Sequence, residues 1–141
     1  MTMYHPKTTL RMDAEFTALC ERATALARSF DHDYVGVEHY FLSLRTLPAG
    51  HPVLRTLSAS GLNLPDFWAE LERMAKVVTG RRVPAILPNT PRSDRVMAIA
   101  ESLARAERVA EMGLMHFLFA VAQERESLPA RLLAQRRVTP G

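Results

Sequence analysis

The sequence predicts an all-α fold, a pseudo-twofold double repeat of about seven to eight helices, and three observations carry that prediction. Apolar residues recur at three- and four-residue steps, where strands would need alternation. Ala, Leu, Arg and Glu, which favour helices, dominate the composition. Finally, the chain matches itself at a fixed offset, as a duplicated unit must.

The first helix carries Leu19, Cys20, Ala23, Leu26, Ala27 and Phe30 on one stripe, with Asp13 as its N-cap and Glu15 suited to the first-turn dipole. It stops near Phe30, where Asp31, His32 and Asp33 begin a loop. A second helix follows Gly36, turns Tyr40, Phe41, Leu44 and Leu47 inward, and ends at Pro48 and Gly50. The third is short: it starts at His51 with Pro52 in the first helical position, where a missing N–H costs nothing, and Gly61 stops it. Asn63 opens a fourth helix with Phe67, Leu71, Met74, Val77 and Val78 as its apolar face and Gly80 as terminator. Residues 81–89 contain Pro84 and Pro88 without a helical stripe and read as a linker. Thr90 and Pro91 then start another helix, continued by Val96, Ile99, Ala100, Leu103 and Ala104.

At an offset of 77 positions, without a gap, Gly36 falls on Gly113, His39 on His116 and Pro52 on Pro129. The same offset pairs Asp13 with Thr90, Leu19 with Val96, Cys20 with Met97, Ala23 with Ala100 and Leu26 with Leu103. Each half therefore holds a capped helix, a Gly-x-x-His turn entering a second helix, and a proline-initiated third. The chain is read as one domain over 1–141, with repeat one at about 12–80, the linker at 81–89 and repeat two at about 90–137. The counterpart of the helix opening at Leu64 would begin at the final residue, Gly141, so an eighth helix is missing from this sequence.

Composition excludes several classes. At 48% hydrophobic and 23% charged residues over 141 positions, a single domain with a sizeable core is expected. The pI is about 9.5 and the formal charge +3. Yet 16 of the 18 basic residues are arginines interleaved with 15 acids, and the pairs Arg81-Arg82 and Arg136-Arg137 are too short to form a nucleic-acid tract. No apolar run approaches the roughly 20 residues of a membrane span, and the N-terminus lacks a signal-peptide core. One cysteine, Cys20, excludes an internal disulfide framework, and a cytoplasmic protein is the default expectation. His5, His32, His39, His51, His116 and Cys20 show no familiar metal-ligand spacing, so neither metal nor cofactor is expected. Cys20 falls on the apolar stripe of the first helix, where an unreactive core thiol is expected. A Gly-x-x-x-x-Gly-Lys-Ser/Thr phosphate loop is absent, so this segment has no ATPase site of its own.

The segment from His32 through Asp33, Tyr34, Val35, Gly36, Val37 and Glu38 to His39 resembles the His-Asn-Tyr-Ile-Gly-Thr-Glu-His signature of Clp N-terminal domains. Thr90-Pro91-Arg92 is similar to the Thr-Pro-Arg that opens the second repeat of that family, and Gly61-Leu62-Asn63-Leu64 with Ala69-Glu70-Leu71 to its Gly-Val-Asp-Leu and Ala-Glu-Leu segments. The resemblance runs from about Met12 to about Gln135. It implies a non-catalytic helical domain, attached ahead of ATPase modules, that binds protein substrates or adaptor proteins for an unfoldase. A stand-alone helical adaptor, and the N-domain of a Clp-like ATPase of type VI secretion, remain open beside that reading.

In members resembling ClpC the glutamate before the histidine helps hold phosphoarginine, its carboxylate on the guanidinium while helix N-termini receive the phosphate. Carried over by position, the resemblance gives Glu38, Thr90, Arg92, Met12, Asn89 and Met115 as the partner or phosphoarginine-like site. Gly36, His39, Gly113, His116, Pro52 and Pro129 are the structural repeat positions, each histidine expected to bond backbone groups and fix its loop. The halves are unequal: Met115 stands where Glu38 has its counterpart and cannot accept an ionic hydrogen bond, and Asp13 stands where Thr90 has its own. A carboxylate at Asp13 would repel phosphate, so at most one phosphoarginine-type site is expected. Val37 and Leu114 replace a capping threonine, Asn89 an aromatic and Met12 a phenylalanine, changes that make the surface more apolar and suit a partner helix or extended peptide.

Overall fold

A computed structural model describes residues 10–77 and 79–136, and among them are seven α-helices and two very short strands. In order they are β1 (Arg11–Met12), α1 (Ala14–Ser29), α2 (Val37–Ser43) running into a 3-10 turn at Leu44–Thr46, α3 (Pro52–Ala59), α4 (Leu64–Ala75), α5 (Pro91–Ala106), β2 (Glu111–Met112), α6 (Leu114–Glu124) and α7 (Leu128–Arg136). His5, Val78 and Arg137, which figured in the sequence reading, lie outside the described residues.

The helix starts follow their capping chemistry. Asp13 Oδ1 accepts the Phe16 N–H at 2.9 Å, and Thr90 Oγ1 accepts the Ser93 N–H at 3.0 Å, two caps 77 positions apart. Asn63 Oδ1 accepts from Asp66 N–H at 3.1 Å, and His51 Nδ1 accepts from Val53 N–H at 3.1 Å. Each satisfies a donor that the first helical turn leaves open.

The internal offset holds in three dimensions. α1 and α5 begin and end at matching positions, as do the starts of α2 and α6. Asp31 and Arg108, again 77 apart, close the two long helices with φ near 57° and 59°. The repeats also exchange backbone across the pseudo-twofold axis. Asp13 N–H donates to Met112 C=O at 2.8 Å, and Thr90 N–H to Val35 C=O at 3.1 Å. Hence β1 pairs in parallel with β2, and the counterpart residues Val35 and Asn89 form a parallel bridge. Each strand covers two residues, so the fold among the described residues is helical as expected. The strands arise because the residue before each cap must satisfy its backbone groups, and the other repeat offers the nearest partner.

Phe16, Tyr40, Phe41, Phe67 and Phe117 form the centre of the core. Phe117 meets Phe16 at 5.7 Å between centroids, Tyr40 at 6.2 Å and Phe41 at 6.3 Å, while Phe41 meets Phe67 at 5.8 Å. The column runs through both repeats and fastens them into one body.

Two sequence expectations need correction here. α4 stops at Ala75, and Val77, expected on its apolar face, is 64% exposed. The Val77 N–H bonds Ala75 C=O at 2.8 Å, a tight turn that aims the Val77 carbonyl at His32 Nε2, 2.8 Å away. The β-branched Val-Val-Thr run has little helix propensity to resist that turn. Cys20 is half-buried instead of core, its Sγ 3.6 Å from Met12 Sδ, and Phe16, absent from the predicted stripe, is fully buried.

Candidate functional site

The two helix-entry histidines show how the halves diverged. Gly36 N–H donates to His39 Nδ1 at 2.8 Å and Gly113 N–H to His116 Nδ1 at 2.8 Å, so each imidazole fastens the turn into its helix. Because Nδ1 accepts, the proton of the neutral ring sits on Nε2. In repeat one, that N–H meets His32 Nδ1 at 2.7 Å, and His32 passes the polarity on to Val77 C=O. Both rings are fully buried, and burial, with His32 next to it, pulls the His39 pKa down to about 4. In repeat two, Val109 replaces His32, and His116 Nε2 meets Glu107 Oε1 at 2.6 Å near the surface.

The N-termini of α2, α5 and α7 converge on a cleft of about 440 Å³ lined by Val37, Glu38, Thr90, Pro91, Arg92, Arg95, Ser127 and Leu128. Three predicted site residues, Glu38, Thr90 and Arg92, are thus brought together from positions up to 54 apart in the chain. Glu38 folds back over Gly36 so closely that a Cβ there would lie 2.5 Å from its Oε1. Its phenolic neighbour Tyr34 donates to Oε2 at 3.4 Å. Burial, and then Glu38 itself, pushes the Tyr34 hydroxyl up to about 12, so it stays a donor. The facing wall carries two arginines paired with two acids. Arg92 Nε lies 3.2 Å and Arg95 Nη1 3.9 Å from Glu124 Oε2, with Glu126 at 4.0 Å from both arginines. Glu124 is held by Glu126 and Ser127 N–H groups at 3.1 and 2.8 Å, and its side chain is 1% exposed. At the start of α5, Pro91 has no N–H and Thr90 takes that of Ser93, which leaves the Arg92 N–H without a partner inside the helix. A carboxylate on one side and two half-exposed guanidinium groups on the other suit a ligand that carries both signs of charge.

Met12, Asn89 and Met115 do not line this cleft. Met12 and Asn89 precede the cap residues in extended backbone, where alternate side chains take opposite directions. The caps therefore face the neighbouring helix start, and the residues before them turn away. Asn89 Oδ1 accepts from Tyr40 Oη at 2.5 Å, and Met12 packs on Cys20. Met115 lies across the pseudo-twofold axis, where the counterparts of the other cleft residues are Leu114, Asp13, Ala14, Glu15, Ala18, Gly50 and His51. There an alanine replaces Arg95 and a glutamate replaces Arg92, and that glutamate is bound by His51 Nε2 at 2.9 Å. The counterpart positions are acidic and already bridged.

Sequence reading missed Arg95, Glu124, Ser127 and Leu128. Arg95 was within reach, since three residues after Arg92 places it on the same helix face. The other three enter from α6 and α7 through tertiary packing and leave no local signal.

No family model matches the chain. Among curated proteins it is 31% identical over 114 residues to the chaperone protein ClpC, chloroplastic, of Pisum sativum, covering 81% of this chain and 12% of that protein. It is 32% identical over 107 residues to an ATP-dependent Clp protease ATP-binding subunit ClpA homolog of Guillardia theta, covering 76% of this chain and 13% of that protein. The chain therefore spans about an eighth of the length of the curated relatives it matches. Among solved structures, the Hsp104 N-terminal domain from Candida albicans superimposes with a TM-score of 0.72 at 13% identity, over 89% of this chain and 79% of that one. The N-terminal domain of the caseinolytic protease associated chaperone ClpD from Arabidopsis thaliana gives 0.66 at 14% identity, over 89% and 86%. Those two likenesses establish the fold.

Proposed function

This chain is a Clp N-terminal domain, and from that premise we propose that it docks protein substrates or adaptors for a Clp-type unfoldase and is itself non-catalytic. The observation that carries the reading is the meeting of Glu38 with Arg92 and Arg95 in one open cleft. A phosphorylated arginine side chain fits those charges, its guanidinium on Glu38 and its phosphate on the arginines and the start of α5. Only one such site operates per domain, because Asp13, Glu15 and Met115 give the counterpart positions the wrong charge for phosphate. Arg92 and Arg95 must exchange part of their pairing with Glu124 and Glu126 for the ligand, which makes weak, readily reversed binding the expectation.

Calorimetry with phosphoarginine tests this directly. Wild type should bind with a stoichiometry near one, and Glu38→Ala and Arg92→Ala should each lose most of the affinity. Equal, negligible heats for wild type and both variants would reject the ligand role of the cleft. Among the described residues no helix is long and apolar enough to cross a membrane.

A further inference from the structure

Two acids pair with the arginines of the cleft, and they are themselves held very differently. Glu124 is fixed: its side chain is 1% exposed, Oε1 accepts the Glu126 and Ser127 N–H groups, and Oε2, which accepts no hydrogen bond, faces Arg92 Nε at 3.2 Å. Glu126 is held loosely. Its side chain is 68% exposed, and its described partners are Arg92 Nη2 and Arg95 Nη1, both at 4.0 Å. Arg125 between them takes φ near 73°, ends α6 and turns the chain so that both carboxylates reach the same two guanidinium groups. At the 77-residue offset the counterparts of 124–126 are Leu47, Pro48 and Ala49, so acids occupy these positions only in the half whose long helix carries Arg92 and Arg95.

The two acids therefore answer an incoming anion differently. Displacing Glu124 would leave two backbone donors open at the entry to α7 and a carboxylate buried without its cation. Glu126 loses only long, exposed pairs and has water to turn into. A phosphoryl group, with close to two charges and three acceptor oxygens, offers the same guanidinium groups a stronger partner. We propose that Glu126 is an internal counter-ligand of the cleft: its carboxylate occupies Arg92 and Arg95 in the unliganded domain and is displaced by the anionic group of the partner, while Glu124 stays and orients both guanidinium groups. The inference rests on the ligand-binding reading of the cleft and adds its regulation. A competitor built into the chain lowers the affinity of every anion by one common factor, the fraction of time it leaves the arginines open. A fixed negative charge nearby would instead penalise anions in proportion to their own charge.

The probes are phosphoarginine and guanidinoacetate, which sets a single carboxylate charge beside a guanidinium, each titrated into the whole chain and followed by amide chemical shifts. Glu126→Gln should tighten both by the same factor, about threefold, the scale of an exposed ion pair. Asp94→Asn is the control: it removes a charge from α5 between the two arginines, from a side chain whose described partner is the Asn89 amide at 3.5 Å, and it should leave both affinities nearly unchanged. No gain in Glu126→Gln, a gain for phosphoarginine close to the square of that for guanidinoacetate, or an equal gain in Asp94→Asn overturns the proposal. A second readout needs no ligand. Phenylglyoxal attacks the neutral guanidine, which an ion pair suppresses, so Arg92 and Arg95 should be modified faster in Glu126→Gln than in wild type or Asp94→Asn, as read from peptide masses. If neither probe binds any of the three chains, the ligand-binding reading of the cleft falls, and the modification rates alone decide the role of Glu126: acceleration confined to Glu126→Gln upholds it, and equal rates overturn it.

Discussion

Acid should loosen repeat one, and the reason is His39, buried against His32. His39 accepts the Gly36 N–H on Nδ1 and donates from Nε2 to His32, so a second ring proton would displace one of those bonds. Burial holds its pKa at about 4 against 6.5 in the ordinary state. Between those values the unfolded chain takes up a proton that the folded chain refuses. Stability from this residue is therefore complete above pH 6.5 and is lost as the pH falls toward 4. The full gap corresponds to about 3 kcal/mol, and the part lost between pH 7 and pH 5 to about 2 kcal/mol. Glu72, held below the usual carboxylate range first by its Arg45 hydrogen bond, gives up its contribution only below 4.5, outside that window. The assay is urea unfolding at pH 7, 6 and 5, followed by Trp68 fluorescence. His39→Asn keeps an acceptor for Gly36 and removes the His39 titration, so it should be less stable at pH 7 and lose that part of the slope. A flat wild-type profile, or a slope unchanged in His39→Asn, would refute the assignment.

The remaining predictions concern the frame around the site. Phe117→Ala removes the ring that touches Phe16, Tyr40 and Phe41, and should cost about 3–5 kcal/mol in denaturant unfolding. Asp13→Ala and Thr90→Ala each remove a helix cap at matched positions, and each should lower stability by about 1 kcal/mol, read as a drop in Tm. Gly36→Ala leaves the extended backbone unstrained but drives the Glu38 carboxylate from its place, so phosphoarginine affinity should fall while Tm moves little. Burial, and then Glu21, pushes the Cys20 thiol up to about 11, so its alkylation by iodoacetamide at pH 8 should be at least about tenfold slower than that of a free thiol. Urea should abolish the difference; equal rates in native buffer would contradict the burial.

How the residues divide between local and non-local control explains what could be read early. The caps Asp13, Asn63 and Thr90, the prolines at helix starts and the Gly-x-x-His turns act over three or four residues, and all of them form as their spacing implies. The 77-residue offset adds the pairing of the halves, because equivalent units must pack equivalently. The end of α4 was not legible, since the turn at Val77 is made to reach His32, 45 residues earlier. Neither was the separation of Met12, Asn89 and Met115 from the cleft, which depends on the side chain directions in backbone exchanged between repeats.

Helix starts, the internal offset and family membership were thus legible in the sequence alone, because local hydrogen bonding and apolar period are written in neighbouring residues. The tertiary structure alone decided which charges meet. Glu124, Ser127 and Leu128 come to Glu38 and Arg92 only when α6 and α7 pack beside α5. Such contacts join residues distant in the chain, and their energy depends on distance in space, a quantity that spacing along the sequence does not carry.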